Sequence, residues 1–125
     1  MNLLIKSATV VDPASPFNNQ VTDILITDGL ISQIATSIDG GDAEVIDATG
    51  KYLAPGFFDL NCNVGELGLE TKEDLQTGTA AAAAGGFTGI ALMPNTHPPV
   101  HSKAEVEYLL NRAKGNLIDI FPLGT

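Results

Sequence analysis

Ala80-Ala81-Ala82-Ala83-Ala84-Gly85-Gly86-Phe87-Thr88-Gly89-Ile90-Ala91-Leu92-Met93-Pro94 is the stretch that decides the fold. The alanine run favours helix, and its small side chains permit close packing against a neighbouring element. Gly85-Gly86 stops the helix, because a glycine takes the left-handed conformation without steric cost. Phe87 to Met93 then reads as a short buried strand, closed by Pro94. A helix, a glycine stop and a buried strand in immediate succession are the recurring step of an α/β chain.

Working outward, the same step appears on both sides. Upstream, Phe57-Phe58-Asp59-Leu60 is a compact apolar strand candidate after Pro55-Gly56, and Thr71-Lys72-Glu73-Asp74 resembles a capping box with Thr71 as the cap. Downstream, Ser102-Lys103-Ala104-Glu105 is a second capping box. Val106, Leu109, Leu110 and Ala113 share one face of the helix that follows, and Gly115 stops it. Residues 117–121 make a third strand candidate. Short apolar strands alternating with capped helices imply βαβ units and a parallel sheet. A closed (β/α)8 barrel takes about 250 residues. Two βα units and a third strand therefore read as part of a longer architecture, the alternative being a small open sheet.

Residues 1–54 carry a different pattern. Residues 3–11 are rich in β-branched and aliphatic side chains and stop at Asp12-Pro13. Ile24-Leu25-Ile26-Thr27 and Leu30-Ile31-Ser32-Gln33-Ile34 flank Asp28-Gly29, which suits a two-residue hairpin with positive φ at both positions. Residues 44–47 and Tyr52-Leu53 complete a set of strands too short and few to form a large core alone, so something else should cover them.

Bulk composition excludes several function classes. The 125 residues have a net charge of −9 and only six Lys and Arg, with no basic cluster for phosphates. Nucleic-acid binding and docking on anionic membranes are both disfavoured. Cys62 is the one cysteine, which excludes intrachain disulfides and cysteine-rich zinc sites. No apolar run approaches the roughly 20 residues needed to span a bilayer. The first residues, Met1-Asn2-Leu3-Leu4-Ile5-Lys6, do not read as a signal peptide, so the cytoplasm is the expected compartment.

Two blocks carry a family resemblance: Pro55-Gly56-Phe57-Phe58-Asp59-Leu60-Asn61-Cys62-Asn63-Val64-Gly65-Glu66-Leu67-Gly68, and residues 81–96, ending in Met93-Pro94-Asn95-Thr96. In this register they resemble the dihydroorotases of the cyclic amidohydrolase group. The resemblance implies that residues 1–54 are the N-terminal part of a small β-sandwich domain. It implies that residues 55–125 are the first βα units of a metal-dependent-hydrolase (β/α)8 TIM barrel. The family pattern after the first barrel strand is Asp-x-His-x-His-x-Arg-Glu-x-Gly. Histidines at i and i+2 of a strand face the same side and bind zinc, which activates water for attack on a cyclic amide. The arginine would hold a substrate carboxylate through a bidentate pair.

This chain keeps Asp59, Glu66 and Gly68 but carries Asn61 and Asn63 at both histidine positions and Gly65 at the arginine position. A neutral carboxamide is a far weaker zinc ligand than imidazole, so Asn61 and Asn63 are read as degenerate ligand positions with no metal expected. Asp59 is a residual ligand candidate or, more simply, a carboxylate satisfying backbone donors. Asn95 matches the family asparagine that contacts substrate, or it organises its turn. Cys62 should point away from its asparagine neighbours, toward the helical layer, as a small buried hydrophobe. His97 and His101 lie in a proline-rich loop and match no family ligand; Asp59 and His97 could share a strand-end face.

The expectation is a dihydroorotase-like chain of pyrimidine biosynthesis that has lost catalysis and acts as a structural partner. Aspartate carbamoyltransferase is the partner that the resemblance implies, with a homo-oligomer the other possibility. The alternative is an active dihydroorotase or related cyclic amidohydrolase with an altered, zinc-containing site completed by ligands from outside these residues.

Overall fold

The computed structural model describes residues 2–125. The chain divides into two compact units, Met1–Pro55 and Gly56–Thr125. Unit 1 is a five-stranded mixed sheet: β1 (Asn2–Val10), β2 (Val21–Thr27), β3 (Leu30–Ala35), β4 (Glu44–Asp47) and β5 (Tyr52–Leu53), in the order β3-β2-β1-β4 with β5 also on β1. Strands β1, β2 and β3 pair antiparallel, whereas β4 and β5 run parallel to β1. The expected hairpin forms at Asp28-Gly29, with φ of 52° and 80°. Both central residues occupy the left-handed region that a tight hairpin turn requires. Ala8, Ile24 and Ala48 centre the apolar cluster, with Ile5, Ile26, Ile34 and Leu53 packed on it.

One irregularity in unit 1 is built in. The β1–β2 register slips between Ile5 and Ala8, leaving an extra residue on β1, and Ser7 takes a φ of 58°. Such a bulge removes a backbone N–H from the ladder. The side chain of Asp23 on β2 replaces the lost acceptor: its Oδ1 accepts from Ser7 N–H at 2.9 Å and its Oδ2 from Ile38 N–H at 3.0 Å. Those bonds hold the Asp23 carboxyl below the usual carboxylate range, the Ser7 bond contributing most and outweighing the effect of burial.

Unit 2 contains β6 (Phe57–Cys62), α1 (Leu75–Ala84), β7 (Phe87–Leu92), α2 (Lys103–Arg112) and β8 (Asp119–Pro122). The strands form a three-stranded sheet, parallel throughout, in the order β6-β7-β8. Its core is Leu75, Ile90, Leu92, Leu109, Ile118 and Ile120, joined by Val64 and Val100. Each such side chain, fully buried, contributes about 1.5–3 kcal/mol. Ala82 and Ala83 of the alanine run pack against this core, and Gly86, at φ 83°, takes the left-handed stop position.

Two helix readings are corrected. Helix α1 begins three residues later than the Thr71 capping box suggests: Asp74 is the cap, its Oδ1 accepting from Thr77 N–H at 2.8 Å. Thr77 Oγ1 returns the bond by accepting from Asp74 N–H at 3.3 Å. Thr71 and Lys72 belong instead to a turn in which Lys72 N–H reaches the Leu69 carbonyl at 2.9 Å. On α2 the Ser102–Glu105 box forms as expected, with Glu105 Oε2 accepting from Ser102 N–H at 2.8 Å. Leu110, however, is 45% exposed, and Val106, Leu109 and Ala113 alone meet the core. Three residues at i, i+3 and i+7 fill the contact stripe, and Leu110 falls on its flank. No described helix is long and apolar enough to cross a membrane.

Candidate functional site

The family-pattern residues gather where β6 and β7 end. Strand β6 carries Asp59, Asn61 and Cys62, and the chain continues through Asn63, Val64 and Gly65. Strand β7 runs out into Met93-Pro94-Asn95. Parallel strands place their C-terminal ends on one side, which is why residues more than thirty positions apart meet. Asn95 Nδ2 donates to Asn63 Oδ1 at 2.6 Å, joining the two strand ends. A small cavity of about 130 Å³ lies beside this pair, lined by Asn63, Gly65, Lys72, Glu73 and Asn95 among others.

Asp59 Oδ1 accepts from Asn61 N–H at 2.9 Å, so this carboxylate serves the local backbone. Cys62 is half-buried against the unit 2 core, on the helical side as alternation along the strand requires. Burial, aided by the carboxylates of Asp59 and Glu73, pushes its thiol up, the reverse of what a nucleophilic cysteine needs. His97 and His101 are engaged with their own turn: His97 Nδ1 lies 3.0 Å from the Thr96 carbonyl oxygen, and His101 Nδ1 lies 2.9 Å from that of Pro99. No contact joins His97 to Asp59 among the described residues.

The zinc that the resemblance implies does not fit these donors. Asn61 and Asn63 offer carboxamides, and the oxygen of Asn63 already accepts from Asn95. Among the described residues no three of His, Cys, Asp and Glu converge as a metal site. What the arrangement supplies chemically is a carboxamide hydrogen-bonding pair with one cation, Lys72, and one carboxylate, Glu73, beside it.

Sequence reasoning noted Glu66 as a retained family position but gave it no role. Its side chain is 1% exposed, and it is the convergence point of the site loop. Oε2 accepts from Leu75 N–H, the first amide of α1, at 3.0 Å. Oε1 accepts from Arg112 Nε at 2.7 Å and from Tyr108 Oη–H at 3.1 Å, both on α2. Burial alone would raise this carboxyl. The bonds from Arg112, Leu75 and Tyr108 together more than offset it and hold it below the usual range. Charge at the N-terminus of α1 adds to the effect. No local pattern marks Glu66 as buried, because every group that satisfies it comes from elsewhere in the chain.

A protein-family model described as Dihydro-orotase-like matches residues 50–123. The chain is 46% identical over 125 residues to a dihydroorotase of Ruminiclostridium cellulolyticum, covering 99% of this chain and 29% of the relative. It is 44% identical over 123 residues to a dihydroorotase of Acetivibrio thermocellus, covering 98% of this chain and 29% of the relative. Among solved structures it superposes on dihydropyrimidinase from Brevibacillus agri with a TM-score of 0.77 and 31% identity, covering 98% of this chain and 26% of that one. The chain thus spans about 29% of the length of the curated relatives it matches. The fold is the opening part of an amidohydrolase TIM barrel preceded in the chain by a small β-sheet unit. The family match over residues 50–123 covers most of the chain, and the chain belongs to the dihydroorotase-like family of amidohydrolases.

Proposed function

We propose that the protein is a dihydroorotase-like subunit of pyrimidine biosynthesis that no longer hydrolyses its ring substrate and acts as a structural partner in an assembly. Aspartate carbamoyltransferase is the partner that the family resemblance suggests, and the cytoplasm is the compartment. The observation that carries the reading is the Asn63–Asn95 bond at 2.6 Å. It ties up, in a neutral amide pair, the strand end where a zinc-binding histidine would stand. Asn61 and Gly65 remove the second imidazole and the carboxylate anchor, so metal binding and substrate positioning are lost together.

Zinc analysis and a dihydroorotate hydrolysis assay on the full chain test this. The expected result is zinc well below one equivalent and no hydrolysis above background. Stoichiometric zinc with turnover overturns it. The partner role is tested separately: a carbamoyltransferase that assembles and works equally well without this chain refutes it, and a homo-oligomer in its place would redirect it.

A second reading, an active cyclic amidohydrolase with an altered zinc site, is favoured by the identity of 46% to a chain described as a dihydroorotase. It requires metal ligands from outside these residues, together with Asn95 as a substrate contact. The same zinc measurement separates the two readings.

A further inference from the structure

We infer that residues 65–73 form a steric plug, with the 69–73 backbone seated on the bare Cα of Gly65, so that this position admits no side chain. A Cβ built on Gly65 overlaps the carbonyl oxygen of Leu69 and lies 2.5 Å from that of Glu73. Both obstacles are backbone atoms, so no rotamer change relieves them. Packed interiors do not absorb overlaps of this size without backbone movement.

The plug is held from several directions. Leu69 N–H donates to the Gly65 carbonyl at 2.8 Å, which folds the segment back on itself, and Lys72 N–H donates to Leu69 at 2.9 Å. Gly68, at φ 80°, abuts the His97 carbonyl, and His97 N–H donates to the Leu67 carbonyl at 2.8 Å. Glu66 anchors the segment to both helices through Leu75, Tyr108 and Arg112. Close approach of backbone to backbone is the circumstance in which only glycine fits.

The consequence reaches past the missing arginine. The cavity left beside Gly65 is about 130 Å³. The Leu69 and Glu73 carbonyls therefore occupy the space that an anchoring side chain would need. Placing arginine at 65 beside histidines at 61 and 63 displaces the segment before it restores a site. The sterics rest on geometry alone. Their connection to a substrate anchor rests on the proposed function, and the experiment below reads segment order rather than zinc or turnover, so the two can fail separately.

The test is amide hydrogen exchange of the full chain, followed at Leu69 and Lys72, with trypsin cleavage after Lys72 as a second readout. Gly65→Ala should accelerate exchange at both amides by about tenfold or more. Gly124→Ala, whose Cβ meets nothing nearer than 3.8 Å, should leave them unchanged. Should Gly65→Ala unfold the chain, a two-glycine insertion between Glu70 and Thr71 decides the matter. In that lengthened segment Gly65→Ala should add less than about twofold to the exchange rates, because the carbonyls are free to move away. The inference is overturned if Gly65→Ala leaves both amides as protected as in the parent. It is equally overturned if the substitution is as damaging in the lengthened segment as in the natural one.

Discussion

Each unit buries one carboxylate, Asp23 at 3% and Glu66 at 2% exposure, and the two are satisfied in different ways. Asp23 sits within a strand and takes two backbone amides, one of them freed by the Ser7 bulge. Its work stays inside unit 1, on a strand bulge and the loop after β3. Glu66 sits past a strand end and takes one helix amide, one phenol and one guanidinium, so that a loop and two helices depend on it. The comparison sets one acidic position of the family pattern, which carries structure, apart from its neighbours at 61, 63 and 65. Under the proposed function, Asn61, Asn63 and Gly65 stand where the family pattern has metal- and substrate-binding groups. Glu66 stands in the same motif but carries structure, and a buried acceptor with such partners cannot be removed cheaply.

Breaking Glu66 should have the largest effect. Glu66→Ala leaves the Leu75 amide buried without an acceptor and releases the Arg112 and Tyr108 side chains, costing about 3 kcal/mol or more. Denaturant unfolding of the full chain should show the loss, and hydrogen exchange should accelerate at Leu75 while Ser7 and Ile38 keep their protection. A loss spread evenly over both units would contradict the separation drawn here. Asp23→Ala should cost less, about 2 kcal/mol, because it frees two backbone amides and no charged partner. Its signature is the reverse: Ser7 and Ile38 lose protection and Leu75 keeps it.

Acid titration sharpens the comparison with the smallest effect. Both carboxyls are held below their ordinary values in the folded chain. Each therefore contributes stability that is fully present at neutral pH and declines as pH falls from about 5 through the lowered folded value. Asp47, Asp74 and Glu105 are shifted the same way and add a shared background. Against it, Glu66→Gln and Asp23→Asn should each flatten the acid limb of the stability curve. An acid limb identical to the parent's in both variants would show that neither carboxylate is coupled to folding.

Much of the architecture was legible because it is local. Asp28-Gly29 demands a hairpin, Gly85-Gly86 stops a helix, and Ser102 with Glu105 starts one; each is decided within four residues. Where local signals competed, tertiary contacts chose. Thr71 and Asp74 are both acceptable caps, but Glu66 occupies the Leu75 amide, and the preceding residues are bent back toward Gly65. Leu110 fits the apolar period, yet the contact stripe was already filled.

The sequence by itself determined the family, the parallel βαβ order and the presence of Asn61, Asn63 and Gly65 in the family-pattern block, since these are matters of residue identity and short-range pattern. Only the tertiary structure decided what surrounds those positions. The bonds concerned join residues 32, 42 and 46 positions apart, Asn63 to Asn95 and Glu66 to Tyr108 and Arg112. Contacts of that separation are specified by how strands and helices pack rather than by any local motif. For the same reason a glycine at 65 reads in sequence as a missing side chain, and in three dimensions as a place where the chain has closed over itself.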